Sequence, residues 1–316
     1  MAAVLRRSLL YVPASSRKML VNSLRLASDN ITYDLEDSVT PARKQEARED
    51  LEIHLARLAC RPPAVTELAV RINAVSTPDS IHDLTVAASS PLVDAVVVPK
   101  VESAEHVTFV SAVLRNVAPV RQSHDSRNPI RIIALIESAK AVMNLDAISK
   151  ASSHLDGLIF AAEDFALDLS ITRTPSLTEF LYARSAIVTA ARAARLNSAI
   201  DLVCTSYKGE EGLSRLREEC AGGKSMGFNG KQCIHPDQLQ TVQAMFAPSR
   251  EDVDWAVRVV VADEKATAAG RGAWTLDGKM IDAPVVGKAR HVVSEAQSCG
   301  FDVRSLRLRW ADQEPE

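Results

Sequence analysis

The chain has 316 residues, a length that fits one large α/β domain and is short for two. Apolar residues make up 47% and charged residues 24%, which is enough apolar material for one continuous core. The formal net charge of −3 argues against nucleic acid as a partner, because phosphate binding needs a dense Lys/Arg surface. No apolar run approaches the length that spans a bilayer, so we expect a soluble protein without a membrane partner.

The cysteines and the first residues bear on the cellular compartment. Five cysteines are scattered without a C-x-x-C pair, which predicts reduced thiols in an intracellular protein. The opening Met-Ala-Ala-Val-Leu-Arg-Arg lacks the apolar core of a secretion signal, and its arginines without acids are typical of a mitochondrial leader. The first predicted strand begins near Arg7, which leaves little to cleave. Mitochondrial and cytoplasmic locations therefore both stay open.

Short β-rich runs alternate with longer helical patterns along most of the chain. The predicted strands are Ser8–Val12, Ile31–Leu35, Leu68–Ile72, Ala95–Val98, Ile130–Ile136, Gly157–Ala161, Ala199–Val203 and Ser225–Phe228. Most of them are continuously apolar, as expected for parallel strands buried on both faces. The predicted helices are Lys18–Leu26, Pro41–Leu58, Asp79–Ala88, Ala104–Val117, Ala139–Ser149, Thr178–Leu196, Glu210–Cys220 and Pro236–Phe246. Eight β-then-α units predict a closed (β/α)₈ TIM barrel over residues 1–248, with a doubly wound open sheet as the alternative.

About seventy residues follow the eighth unit, beyond the usual length of such a barrel. A helical pattern over Arg250–Ala269 precedes a glycine-rich stretch, Gly270–Gly278, that suits a lid or hinge. A further helix is predicted to begin at Pro284, since proline suits a first helical turn. We therefore expect a C-terminal helical extension with a lid over residues 249–303. A charged, loosely ordered tail is expected over residues 304–316.

Polar residues follow the predicted strands at the points where the strands end. They are Asp34, Glu36, Asp37, Arg71, Asn73, Lys100, Glu137, Glu163, Asp164, Lys231 and His235. In a (β/α)₈ barrel the carboxyl ends of the strands and the loops after them build the active site. We therefore expect these acids and bases to converge on one rim of the barrel.

Glu137 and Asp164 follow consecutive strands, so their carboxylates are expected to lie side by side. Two such groups repel each other unless a cation neutralises them, and Mg²⁺ typically takes one or two carboxylates and fills its octahedron with water and substrate oxygens. Asp37 would then bind metal-bound water. Either acid alone could instead cap a helix or a turn. The neighbouring acids Asp34 and Glu36 favour the metal.

Two basic residues on this rim have competing interpretations. Arg71 offers a planar fork that can grip the carboxylate of a keto acid, and its alternative is a structural ion pair with Glu36 or Asp37. Lys100 could form a Schiff base, as in metal-free aldolases. Nearby acids would raise the lysine pKa rather than lower it, which favours a role as their charge partner.

At these same residues the sequence resembles the citrate lyase β-subunit-like branch of the HpcH/HpaI aldolase family. The matching pieces are Arg7–Pro13, Tyr33–Val39, Val70–Asn73, Val98–Ser103, Ile133–Ser138, Ala162–Phe165, Gly227–Pro236 and Gly278–Pro284. They run in family order over most of the chain, and within the branch the stand-alone citramalyl-CoA lyases are the most similar group. The resemblance implies a Mg²⁺-binding barrel that forms a homo-oligomer, a trimer or hexamer, and acts on 3-hydroxyacyl-CoA thioesters.

The resemblance also assigns roles. Glu137 and Asp164 correspond to metal ligands and Arg71 to the residue that holds the substrate carboxylate, with Glu36 and Asp37 beside it as further candidate catalytic residues. Positions that contact coenzyme A in the family are occupied here by Tyr11, Lys18, Ile234 and His235. One position departs from the family pattern, since Ala14 replaces the usual glycine of the first loop, where glycine allows a close ligand approach.

Asp282 corresponds to an acid/base group that relatives supply from a neighbouring subunit's lid. Its alternative is simply an acid at a helix start, where the helix dipole favours negative charge. The implied reaction cleaves citramalyl-CoA or malyl-CoA into acetyl-CoA and a small 2-keto acid, pyruvate or glyoxylate, in a reversible manner. Two alternatives are a malate-synthase or thioesterase activity on the same scaffold, and a non-catalytic acyl-CoA-binding subunit.

Overall fold

Eight short parallel strands close into a barrel in which each strand pairs with the next along the chain and the last pairs with the first. The structure is a computed structural model that describes residues 4–316. The barrel strands are β1 (Ser8–Pro13), β2 (Ser28–Asp34), β3 (Val65–Arg71), β4 (Ala95–Val98), β5 (Arg131–Ile136), β6 (Leu155–Phe160), β7 (Ser198–Asp201) and β8 (Gly230–Cys233). The predicted (β/α)₈ fold is confirmed.

Ten α-helices accompany the barrel strands in the described sequence up to Phe246. They are α1 (Arg17–Ser23), α2 (Lys44–Ala56), α3 (Asp79–Ser89), α4 (Ala104–Val117), α5 (Ala139–Met143), α6 (Leu145–Ser149), α7 (Ala162–Leu169), α8 (Leu181–Ala193), α9 (Gly209–Met226) and α10 (Leu239–Phe246). Side-chain oxygens of Ser16 and Ser138 accept hydrogen bonds from backbone N–H groups at the starts of α1 and α5. Such caps satisfy donors that a helix leaves unpaired and fix where it begins.

Alternate residues of several barrel strands belong to two different apolar cores. In β5, Ile133 and Leu135 belong to an apolar cluster formed by inward-facing residues from the strands. Ile132 and Ile136 belong instead to the larger core between strands and helices. Because both faces of β5 are apolar, this strand is a continuous apolar run after Arg131. Polar residues are also buried within some strands, such as Asn30 and Thr32 in β2 and Glu67 in β3.

The prediction of the eighth strand at Ser225–Phe228 is wrong. Helix α9 continues past the predicted end at Cys220 and includes Ser225, and the strand spans Gly230–Cys233. Its middle residues, Lys231 and Gln232, are buried although both are polar. A search for apolar runs cannot find such a strand. Gly230 is required there, because a Cβ atom would overlap the Arg6 carbonyl oxygen.

Other helix boundaries differ from the predicted ones in smaller ways. The predicted helix Ala139–Ser149 is divided at Asn144 into α5 and α6. A 3₁₀ turn over Thr178–Phe180 precedes α8. Helix α7 was not predicted, and it begins one residue after Ala161, directly behind β6. In the described part of the chain, residues 4–316, no helix has both the length and the apolarity needed to cross a membrane.

The chain divides into two compact units, and the second spans Ala247–Glu316. It contains α11 (Arg250–Ala268), the antiparallel strands β9 (Trp274–Leu276) and β10 (Lys279–Ile281), α12 (Ala283–Ser298) and α13 (Val303–Arg309). Asp277 and Gly278 form the hairpin turn with positive φ angles of 50° and 71°, the conformation of a tight two-residue turn. The glycine-rich stretch is therefore a folded hairpin, and its role as a lid stays a prediction.

The C-terminal segment is more ordered than expected. The prediction of a loosely ordered tail from Arg304 is wrong for α13, which Asp302 caps through a hydrogen bond from the Ser305 N–H. Thr275 and Glu316 exchange backbone hydrogen bonds within the second unit. Trp310 stacks against the Arg258 guanidinium at 4.9 Å. These contacts tie the charged segment to its own unit, which local composition does not reveal.

Candidate active site

The carboxyl ends of the barrel strands surround a cavity of about 410 Å³. Its lining includes Tyr11, Asp34, Asp37, Arg71, Leu135, Ala161, Glu163, Asp164, Val203, Gln232 and Ile234. Five of the eleven predicted rim residues line this cavity, namely Asp34, Asp37, Arg71, Glu163 and Asp164. The apolar floor comes from the ends of β5, β6 and β7, while the polar groups come mainly from the ends of β2, β3 and β6.

Glu137 is a strongly perturbed acid of this rim. Its side chain is buried, and the Lys100 N–H donates a hydrogen bond of 3.2 Å to Oε1. Burial, followed by the nearby charges of Asp164 and Glu36, raises the pKa of Glu137 to about 8. Ionising this carboxyl at neutral pH is therefore costly unless a cation compensates the charge.

The carboxyls of Glu137 and Asp164 fit a divalent cation of the Mg²⁺ type. Among residues 4–316, no group of three or more His, Cys, Asp or Glu side chains is placed to hold a metal. A two-carboxylate site is what Mg²⁺ accepts, since it keeps several waters and takes substrate oxygens. Burial, Asp164 and Glu36 all oppose ionisation of Glu137, and such an ion would offset that cost.

The main contact of Arg71 is with Asp34, whereas the sequence predicts Glu36 or Asp37 as its ion-pair partner. Nε and Nη2 donate to the two carboxylate oxygens of Asp34, both at 2.7 Å. Nη1 lies 3.2 Å from Glu36 and 3.4 Å from Asp37. The predicted structural ion pairs of Arg71 with Glu36 and Asp37 are thus present. Nη1 is the guanidinium nitrogen that faces the exposed acid Asp37. Although burial would raise it, Arg71 holds the pKa of Asp34 below its usual value.

Lys100 and Glu36 form a second ion pair on the rim, with Nζ 3.1 Å from Oε1. Burial raises the pKa of Glu36, with a contribution from Asp37 that opposes Arg71. Burial alone would lower the pKa of Lys100, yet Glu36 outweighs it and the net pKa is raised. A lysine kept protonated is a poor nucleophile. The geometry therefore supports the charge-partner interpretation over Schiff-base chemistry.

Tyr11 stands at the centre of the mouth. The Arg71 guanidinium lies 4.5 Å from its ring centre, and its hydroxyl donates a 2.9 Å hydrogen bond to Gln232 Oε1. Gln232 in turn donates to the Phe160 carbonyl. Burial raises the pKa of Tyr11, so its hydroxyl stays protonated. Sequence reasoning missed Gln232 because it lies in the misplaced eighth strand.

Of the other candidate coenzyme A contacts, Ile234 lines the cavity, whereas Lys18 and His235 do not. Lys18 is exposed in the first turn of α1. The N–H groups of Ile234 and His235 both donate to Gln238 Oε1, so their backbone donors are already occupied. The His235 ring stacks on Tyr207 at 4.6 Å, which forms a flat aromatic surface beside the loop.

Two remaining predictions concern Ala14 and Asp282. Ala14 is buried in the core between strands and helices, and its N–H donates to the Asp34 carbonyl. Its methyl group therefore packs against protein. Asp282 lies in the second unit, where it is the N-cap of α12 and accepts from the Val285 N–H at 3.2 Å. Asp282 thus lies at a helix start, as its alternative interpretation predicts, while its acid/base role stays a prediction.

Fold and site together define an enzyme of the (β/α)₈-barrel class, with a buried acid and an arginine–carboxylate fork at the carboxyl ends of its strands. Residues 7–236 match the HpcH/HpaI aldolase/citrate lyase family. The chain belongs to this family and is a lyase.

Similar proteins cover nearly the whole chain. Citrate lyase subunit beta of Haemophilus influenzae is 35% identical and is matched over 93% of this chain and 98% of its own length. The mitochondrial citramalyl-CoA lyase of Homo sapiens is 34% identical over 93% of this chain and 86% of its own. Protein CitE of Mycobacterium tuberculosis, in complex with magnesium, acetoacetate and coenzyme A, has a TM-score of 0.72 at 28% identity and covers 93% of this chain and 99% of its own. The predicted family is confirmed.

Proposed function

We propose that this protein is a Mg²⁺-dependent lyase that cleaves citramalyl-CoA or malyl-CoA to acetyl-CoA and pyruvate or glyoxylate. The observation that supports the proposal best is the buried Glu137 carboxyl, whose pKa is raised to about 8 by burial and by the nearby Asp164, as expected of an acid that needs a cation as its partner. Arg71 lies on the same cavity and suits the carboxylate of a keto acid. The similarity to a citramalyl-CoA lyase and to a CitE complex with magnesium and coenzyme A supports it.

In this proposal Glu137 and Asp164 hold the ion, which supplies Lewis-acid stabilisation of the oxygen where negative charge develops. Asp34 occupies Nε and Nη2 of Arg71 at 2.7 Å. The substrate carboxylate therefore binds at Nη1, whose contacts with Glu36 and Asp37 are longer, at 3.2 and 3.4 Å. Asp34 also keeps the guanidinium plane fixed. The side chain of Asp37 is 59% exposed and is placed to bind water at the mouth.

Coenzyme A binding and proton transfer involve the remaining proposed residues. The Lys18 ammonium suits a phosphate group, and the loop of Ile234 and His235, together with Tyr11, borders the thioester end. A base takes the hydroxyl proton as the C–C bond breaks, and Asp282 then donates its own proton to the carbon of the acetyl-CoA enolate, or removes one from acetyl-CoA in the reverse direction. Because relatives supply this acid from a neighbouring subunit, we propose a trimer or hexamer. An intracellular location, mitochondrial or cytoplasmic, fits the free cysteines.

The direct test is release of pyruvate from citramalyl-CoA, coupled to lactate dehydrogenase, with Mg²⁺ and again with EDTA. Release that requires Mg²⁺ is the expected result, and malyl-CoA is assayed in parallel for glyoxylate. Product analysis separates cleavage from thioester hydrolysis, which would release free coenzyme A. If neither substrate yields a keto acid, the proposed lyase activity is wrong.

Asp282→Asn separates the proposed chemical role of this residue from its structural one. Asparagine caps helices about as well as aspartate, so the unfolding midpoint should stay unchanged. Loss of the acid/base group should lower kcat at least ~10²-fold. Steady-state kinetics and thermal unfolding are measured together, with Asp302→Asn, the N-cap of α13, as the matched control. Full turnover of Asp282→Asn would exclude the acid/base role.

A further inference from the structure

Two adjacent acids, Glu163 and Asp164, occupy the first turn of α7, and both border the cavity. Of the two, Asp164 is the proposed metal ligand. The Glu163 carboxylate is instead held by Nη1 of Arg173. The two neighbouring carboxylates therefore have different surroundings, because Arg173 forms an ion pair with Glu163.

Arg173 is itself fixed by two further elements. Nη2 donates to the Val203 carbonyl, just after β7, at 3.0 Å and to Glu219 Oε1, on α9, at 2.7 Å. Its side chain is only 15% exposed. One planar guanidinium thus joins the start of α7 to the neighbouring strand and helix, which its fork geometry allows and a single ammonium does not.

Glu219 is anchored in turn inside the barrel wall. Lys231, which is fully buried in β8, lies 3.0 Å from Glu219 Oε2. Burial would raise the pKa of Glu219, but Lys231 and Arg173 together hold it below its usual value. The carboxylate is therefore charged at neutral pH. A chain of ion pairs runs from Lys231 through Glu219 and Arg173 to Glu163.

We propose that Arg173 is a positioning residue for the divalent cation. It holds Glu163 away from the ion and fixes the first turn of α7, so that Asp164 faces Glu137. The inference rests on the proposed function, because it concerns the seat of the proposed Mg²⁺. Replacing a group that orients a metal ligand without touching the metal typically weakens metal binding by about 10–100-fold.

Two charge-preserving substitutions test this role. Arg173→Lys keeps the positive charge but cannot reach Glu163, Val203 and Glu219 together. Glu163→Asp keeps the negative charge but is one methylene shorter. Each should weaken Mg²⁺ binding about 10-fold, measured by titration calorimetry on the full chain without substrate. Arg215→Lys is the matched control, because Arg215 contacts Glu219 at 3.3 Å and should leave Mg²⁺ affinity unchanged.

The double variant shows whether Arg173 acts through Glu163. If it does, Arg173→Lys combined with Glu163→Asp weakens Mg²⁺ binding no more than either change alone, about 10-fold rather than 100-fold. Effects that multiply, or an unchanged affinity in Arg173→Lys, overturn the positioning role. Thermal unfolding verifies that each variant is folded. If Arg173→Lys does not fold, the test relies on Glu163→Asp, because the Glu163 side chain is half-exposed. Absence of Mg²⁺ binding by the wild-type chain would instead overturn the proposed metal site itself.

Discussion

Glu137→Gln is expected to abolish both Mg²⁺ binding and turnover, with activity falling more than about 10³-fold, while the metal-free protein becomes more stable. The amide keeps the size of the side chain but cannot supply the anionic ligand that Mg²⁺ requires. It also removes a buried carboxylate whose charge is opposed by burial and by Asp164. Relief of this cost should raise the free energy of unfolding by roughly 1–3 kcal/mol at pH 8.5 in EDTA.

The pH dependence of this gain in stability follows from the raised pKa of Glu137 in the folded protein. The unfolded chain ionises near the ordinary value of 4.5, whereas folded Glu137 ionises at about 8. The folded state therefore binds the extra proton between these values, and wild-type stability falls as pH rises through this window. The stability gap to Glu137→Gln should be absent below the window and reach its full size above it. Urea unfolding at several pH values in EDTA measures it, with the exposed Glu52→Gln as control. A gap that does not change with pH would contradict the assignment.

The barrel and much of its rim could be predicted from sequence because the relevant signals are local. Strands buried on both faces are continuous apolar runs, and Glu137 follows one of them directly. The pair of Asp34 and Arg71 also left a signal, since the two residues are register partners in neighbouring strands. The ends of the two predicted strands align them, so this ion pair could have been found.

Other elements depend on contacts that no local pattern shows. β8 is a strand because Lys231 is neutralised by Glu219 on α9, which allows a charged residue inside the barrel wall. Helix α7 begins behind β6 with Ala161 as its N-cap and without a side-chain cap, so the usual start signal is missing. Arg173 lies outside every predicted strand and helix. Its importance appears only when Glu163 and Glu219 meet it in space.

Arg71→Met is expected to remove activity and to destabilise the fold at the same time. The substrate loses its carboxylate anchor, for which we expect a fall in kcat/KM of about 10³-fold. Asp34, which is fully buried, loses both hydrogen bonds from the guanidinium. Breaking a buried ion pair from one side typically costs about 3–5 kcal/mol. Denaturant unfolding and steady-state kinetics of the same preparations measure the two losses.

Adding Asp34→Asn to Arg71→Met separates the two losses. The double variant has no buried orphan charge, so most of the stability should return while activity stays low. The pKa of Asp34 is lowered in the folded protein, so its ion pair contributes stability above the unfolded pKa and loses it as pH falls through the folded value. The stability gap between wild type and Arg71→Met should therefore be widest at neutral pH and narrow below about pH 4. If adding Asp34→Asn restores no stability, the loss of stability in Arg71→Met does not come from the unpaired Asp34 carboxylate. If Arg71→Met keeps wild-type kcat/KM, the substrate carboxylate binds elsewhere.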